Sequence, residues 1–464
     1  FTAPATDRPE RVERILNDVE ALVDEGGGVE MVSSVVGSEP DSRTSLELTV
    51  YTRDLGLVRE VRTVDLPRGE FALEFRGVPA QIRPATLLVG GDDAMTILEQ
   101  NYEFDLMSRE RILEKYVGRD VAWILEDGGR IEGRLLGTSQ GPVFEVGGEI
   151  MFEMPGRIVL PSLPENLRAR PTLVWRVQRE DAGQPALDVS YLTGGLSWSA
   201  DYVLQLTPDG EQADLRGWVT VENRSGADYV DATLQLVAGE IQQVRDAMRD
   251  RFKASGRVEA VMQAAPPMQQ ETLYDYHLYT VPWTTELPDK SSKQVLLLSA
   301  SGLGVERTYT VRGSSAYFRG GVSEDRQDVW VSYAFVNEES NRLGKPLPAG
   351  VVRVYGRSQD GRQQLLGEDR IGHTPKDERV ELTVGKAFDI VAERTRMKYD
   401  RVADRVHRTT WKVVLRNHKD EDVTVEVREP VGGDWTITKA SHEYERVSAS
   451  EILFRLPVDG GGES

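Results

Sequence analysis

The chain has 464 residues and no cysteine, and its 76 acidic against 56 basic residues give a net charge of −20. That length sets about two to four domains, and the missing cysteine excludes disulfides, thiolate metal centres, cysteine nucleophiles and a lipidated N-terminal cysteine in this form of the chain. The acidic surplus repels nucleic acid and anionic lipid headgroups, while 39% apolar and 28% charged residues describe a soluble, folded globular chain.

No run approaches the roughly 18 consecutive apolar residues of a spanning helix. The first residue is Phe1, so a processed mature form or a fragment is expected, with loss of an export signal the favoured cause. A large exported chain without disulfides fits a bacterial periplasm or cell surface.

Residues 1–43 form an acidic arm with 10 acidic and 4 basic side chains. Val12, Ile15, Leu16, Val19, Leu22 and Val23 recur at helical spacing and predict one amphipathic helix, ended by Gly26 to Gly28. So short a helix is marginal alone, so its stripe is expected to dock on its own body or on a neighbouring subunit. From 44 to 98, within an N-terminal β-domain of residues 44–116, SLELTVYT, LVREVRTVDL and EFALEFRGV alternate apolar and polar residues, which predicts a half-buried antiparallel meander. Ser108 then reads as the N-cap of a short helix carrying Ile112, Leu113 and Tyr116, closed by Gly118.

Residues 117–162 hold about five short strands with tight turns, the spacing of a small closed barrel similar to SH3 and Sm folds. Such barrels bind RNA or peptides, but the basic, aromatic surface that RNA requires is missing here. A structural spacer is the plain reading and peptide recognition the sharper one. Beyond it, residues 163–329 read as a β-sandwich interrupted at 241–270 by an insertion with helix-forming and then Ala/Pro/Gln-rich sequence. Residues 330–464 read as a second sandwich that includes GVVRVYGR, QQLLGEDRI, TTWKVVLRN and SEILFRLPV. The predicted fold class is therefore all-β: tandem antiparallel Ig-like sandwiches, one small SH3/Sm-like barrel module, and few short helices.

Catalytic motifs fail one by one. His442-Glu443 opens a zincin pattern, but Arg446 occupies the second ligand position. Gly344-Lys345 is followed by Pro346, which is no phosphate loop, and Gly195-Leu196-Ser197-Trp198-Ser199 lacks the second glycine of a hydrolase elbow. Asp420, Glu421 and Asp422 lie at an apparent hairpin tip without the ligand spacing of a calcium loop. No catalytic, cofactor or metal residue is assigned. In LYDYHLYTV, Tyr274, Tyr276 and Leu278 are expected on one strand face, as core or cross-strand pairs or as a sugar-stacking platform.

The stretch from Tyr191 to Glu240, with the segments from Tyr274, Lys293, Leu347, Gly367 and Leu415, resembles the domain of unknown function at the C-terminal end of bacterial mucoidy inhibitor A proteins. The resemblance runs from about Pro171 to Pro457, and residues 44–98 are similar to those proteins' N-terminal β-domain. It departs from them in lacking a long coiled coil between the β-regions and a final strand after Ser464. What it implies is an exported, envelope-associated β-protein with no catalytic residues to carry over. The expected partners are further copies of the chain or other envelope proteins, through Val12, Ile15, Leu16, Val19 and Leu22 or through an open sheet edge. Glycan binding or processing through Tyr274 and Tyr276 is the alternative.

Overall fold

A computed structural model describes residues 34–104, 109–139, 141–162, 167–168, 170–239, 242, 268–314, 324–358 and 360–464. The stripe from Val12 to Val23 lies outside these residues, as does nearly all of the 241–270 insertion. Among the described residues the chain is all-β, with one α-helix and several multistranded sheets, the class that the alternating pattern predicts. It divides into two compact units, residues 1–45 with 59–191 and residues 46–58 with 192–464.

The first unit contains β1 (Val35–Ser38), β4 (Gly69–Arg76), β5 (Leu88–Gly90), β6 (Met95–Glu103) and β12 (Thr172–Arg179), with parts of β2 (Arg43–Tyr51), β3 (Gly56–Thr63) and β13 (Ala186–Thr193). The expected 44–98 meander breaks at β4. That strand lies between β1, to which it is parallel, and β12, with β6 beyond. Phe71, Leu73 and Phe75 form the buried face of β4, and Phe75 stacks on Trp175 of β12 with ring centroids 5.3 Å apart. Alternation specifies which face is buried; it carries no information on a neighbour about a hundred residues away.

Within the same unit, helix α1 (Arg109–Tyr116) buries Leu113 and Tyr116 against β7 (Asp120–Ile124), β8 (Arg130–Gly137) and β9 (Val143–Val146). Two more strands, β10 (Glu149–Met151) and β11 (Arg157–Val159), complete the order β10-β9-β8-β7-β11. The five predicted strands are present, but the sheet does not close into the expected barrel. Its end strands have three residues each, too few to form a seam.

The second unit opens with β14 (Leu196–Leu206), β15 (Gln212–Asn223), β16 (Tyr229–Ala238), β17 (Gln269–Leu273), β18 (Tyr276–Leu287) and β19 (Ser291–Gly304). On β14, Leu196, Trp198, Ala200, Tyr202, Leu204 and Leu206 are all buried, a strict period of two. Trp198 donates its indole N–H to the Val237 carbonyl of β16, joining the β19-β15-β14 layer to the β18-β16 layer.

Next come β20 (Glu306–Arg312), β21 (Glu324–Gln327), β22 (Val329–Val336), β23 (Gly350–Arg357), β24 (Gln363–Ile371) and β25 (Arg379–Lys386). GVVRVYGR and QQLLGEDRI, expected in the C-terminal sandwich, are β23 and β24 and belong elsewhere. β23 runs parallel to β14, and β24 pairs with β23. Gly350 permits the join, because a Cβ there would lie 2.4 Å from the Ala200 carbonyl oxygen.

The chain finishes with β26 (Ile390–Ala403), β27 (Val406–Asn417), β28 (Val423–Pro430), β29 (Glu445–Ser448) and β30 (Glu451–Val458). A six-stranded sheet, β25-β22-β20-β28-β30-β29, and a three-stranded one, β21-β26-β27, supply a shared core of Val311, Val329, Ala392, Leu415, Val425 and Leu456.

Candidate functional site

Buried ionisable groups are the first place to look for chemistry, and in the first unit Glu60 and Arg62 are both fully buried. Glu60 Oε2 accepts from Arg43 Nε at 2.7 Å and from Arg62, and Glu60 Oε1 accepts from the Tyr191 hydroxyl at 2.9 Å. Arg62 also donates to the carbonyls of Ser38 and Arg76, and its guanidinium lies 3.7 Å from the Phe75 ring centroid. Burial lowers the Arg62 pKa, and the Glu60 carboxylate opposes that shift. The network is saturated with internal partners, which suits it to fixing β1 and β4 around β3 rather than to receiving a ligand.

The second unit repeats the lesson with hydroxyls and amides. Tyr202 and Tyr279 donate to the carbonyls of Pro348 and Pro346, at 2.8 and 3.0 Å. Residues of ADY, HLYTV and KPLPAG thus form one loop anchor. Asn223 holds the carbonyls of Ala227 and Leu287; Asn337 those of Lys345 and Pro375; Asn417 those of Glu421 and Asp459.

Tyr274 and Tyr276 do not share a strand face. Tyr274 and Asp275 are the turn between β17 and β18, with Tyr274 at φ 53° and 90% exposed. Tyr276 begins β18 and packs over Gly239, whose added Cβ would meet its ring at 2.5 Å. The alternation in LYDYHLYTV reads as one strand because the turn carries tyrosine and aspartate rather than glycine. Val12, Ile15, Leu16, Val19 and Leu22 lie outside the described residues.

Among the described residues no three His, Asp or Glu side chains are grouped to hold a metal. Asp422 accepts from the Gly460 amide, and Glu421 pairs with Arg307 and Lys419. An open groove of about 1040 Å³ in the α1 module is lined chiefly by Leu113, Trp123, Phe144, Phe152 and Met154, with Arg109 and Glu153 its charged residues. A second, of about 590 Å³, is lined by Phe388, Asp389 and His418 beside the Lys386–Asp328 ion pair.

The surface that stands apart is the β26–β27 hairpin. β21 pairs with β26 only over Ala392–Thr395, and the segment 462–464 covers β27 only at 415–417. Past those points, among the described residues, the hairpin is a two-stranded ribbon. Its root is locked: Arg394 is buried, makes a two-pronged bond to Glu429 at 3.0 and 3.1 Å, and lies 3.6 Å from the Trp411 ring centroid. Outward from Trp411 follow Arg396, then Tyr399, which stacks on His407 and bonds its Nδ1 at 2.9 Å. This ladder of cations on rings stiffens a ribbon that would be marginal alone. Met397, between Arg396 and Tyr399, is 62% exposed, and at the hairpin's end Val402 and Val406 are 55% and 53% exposed. The alternation of Arg or Lys with apolar residues in RTRMKYDRV was the available signal, and its charged positions hid it as a strand.

With this geometry established, comparison with known families is decisive on one point: residues 187–438, more than half of the chain, match the family described as domain of unknown function (DUF4139). The chain belongs to this family. The match takes in β14 to β28, so the Trp198, Tyr202 and Tyr279 anchors and the β26–β27 hairpin are all parts of the DUF4139 region. No curated protein matches the chain.

Proposed function

We propose that this DUF4139 protein is a non-enzymatic, exported component of the bacterial cell envelope, related to mucoidy inhibitor A-like proteins, that works by protein–protein interaction and self-assembly. The observation that carries the reading is the β26–β27 hairpin. It holds a ladder of cations on rings at its root and exposes Met397 along its length and Val402 and Val406 at its end, where a chain with no contact to make would carry polar residues. The buried charges support it indirectly, since Glu60, Arg62, Arg394 and Glu429 satisfy one another.

A photo-crosslinking side chain at position 402, in cells, is the test. Crosslinks from 402 to protein, with none from a control at exposed Leu88, are expected; crosslinks to glycan or lipid alone would overturn the reading.

A further inference from the structure

From Arg396 to Lys412 the hairpin carries six cations, Arg396, Lys398, Arg401, Arg405, Arg408 and Lys412, against two carboxylates, Asp400 and Asp404. Those two carboxylates are engaged locally, by Lys398 at 2.9 Å and by Arg401 at 3.0 Å. Arg405, Arg408 and Lys412 are exposed, interleaved with exposed Val402 and Val406. All this sits on a chain of net charge −20. A small basic, apolar surface therefore belongs to a chain whose remaining residues include 74 acidic (76 − 2) against 50 basic (56 − 6), and a second copy offers the complementary charge.

We propose that the outer half of β26–β27 docks on a carboxylate-rich face of a second copy of this chain, an inference that rests on the interaction reading above and names its partner. Guanidinium groups pair with carboxylates in two-pronged geometry, and Met397, Val402 and Val406 supply the apolar area that charge alone lacks. An extended polyanion such as an anionic bilayer or nucleic acid would also meet the acidic remainder of the molecule, whereas a second copy can present carboxylates to the hairpin alone. Because hairpin and acceptor are different surfaces, the contact is heterologous, and each copy keeps one of each to offer.

The experiment is sedimentation velocity on the full chain, wild type and Arg401→Glu/Arg405→Glu/Arg408→Glu, at about 0.05 M and about 0.5 M salt. Wild type is expected to associate at low salt, with affinity falling about tenfold or more at high salt. The variant alone should remain monomeric, yet form a complex when mixed with wild type, because its acidic face is intact. Circular dichroism checks that the variant folds, and Arg401→Gln/Arg405→Gln/Arg408→Gln should fall between the two.

Wild type monomeric at low salt, or a reversed variant that associates as wild type does, would overturn the proposal. So would pelleting of wild type, but not the variant, with phosphatidylglycerol vesicles. A monomer in solution together with crosslinks from position 402 to a different protein would sink this inference and leave the interaction reading standing; no protein crosslink at all would remove both.

Discussion

Glu60 shows how a buried carboxylate can have its oxygens occupied by partners within the fold. It is fully buried and takes hydrogen bonds from Arg43, Arg62 and Tyr191, so Glu60→Ala would leave two guanidinium groups facing each other without their counter-ion. A loss of about 3–5 kcal/mol is expected in urea unfolding of the first unit, with no gain or loss of a bound ligand. In the sequence, Glu60 is one polar position in LVREVRTV, and nothing local distinguishes it from solvent-facing Arg59, whose pair is Asp188.

The buried phenols make a second prediction. Burial raises Tyr202 well above the ordinary value of 10.0 and raises Tyr279 and Tyr333 as well. A raised folded value means that the unfolded chain loses its protons first. Their contribution is therefore complete below pH 10 and is lost as pH climbs through the folded values. Absorbance at 295 nm should show these tyrosines ionising together with loss of the β signal; independent ionisation of the full set before unfolding would contradict the assignment of Tyr202 and Tyr279 as loop anchors.

At the scale of elements, periodicity found many of the strands, though not β6, β20 or β26, and little of what each one pairs with. EFALEFRGV is a strand, but its neighbours are β1 and β12; GVVRVYGR is a strand, but it lies beside β14, some 150 residues earlier. Both joins depend on side chains such as Trp175 and on Gly350, whose roles exist only once the partner is present. The turn at Tyr274 was read through for the same reason: a residue at φ 53° gives no sign of it when it is not glycine.

The β26–β27 hairpin was half legible, TTWKVVLRN as a strand and RTRMKYDRV not, because the many charged positions of an exposed ribbon mask its alternation. Trp411 is its keystone, held between Arg394 and Arg396. Trp411→Ala should speed amide exchange across residues 396–410 by about tenfold, the equivalent of roughly 1.4 kcal/mol of lost stacking. The β14–β15 ladder should not change.

Across the whole molecule, composition is the guide most easily over-read. The charge of −20 argues against polyanionic partners on average, yet it conceals a hairpin of opposite sign that only the fold isolates as one projecting surface. No helix among the described residues is long and apolar enough to cross a membrane, and the DUF4139 match covers the second unit's strands from β14 to β28. The proposed self-association is a matter of which exposed surface meets which.

Hydrogen exchange on the purified chain, followed at rising protein concentration in low salt, addresses that directly. Amides of residues 396–412 are expected to become protected as concentration rises and to lose that protection in high salt. Exchange in the hairpin that stays fast at every concentration, while protection grows at another surface, would contradict the proposed docking.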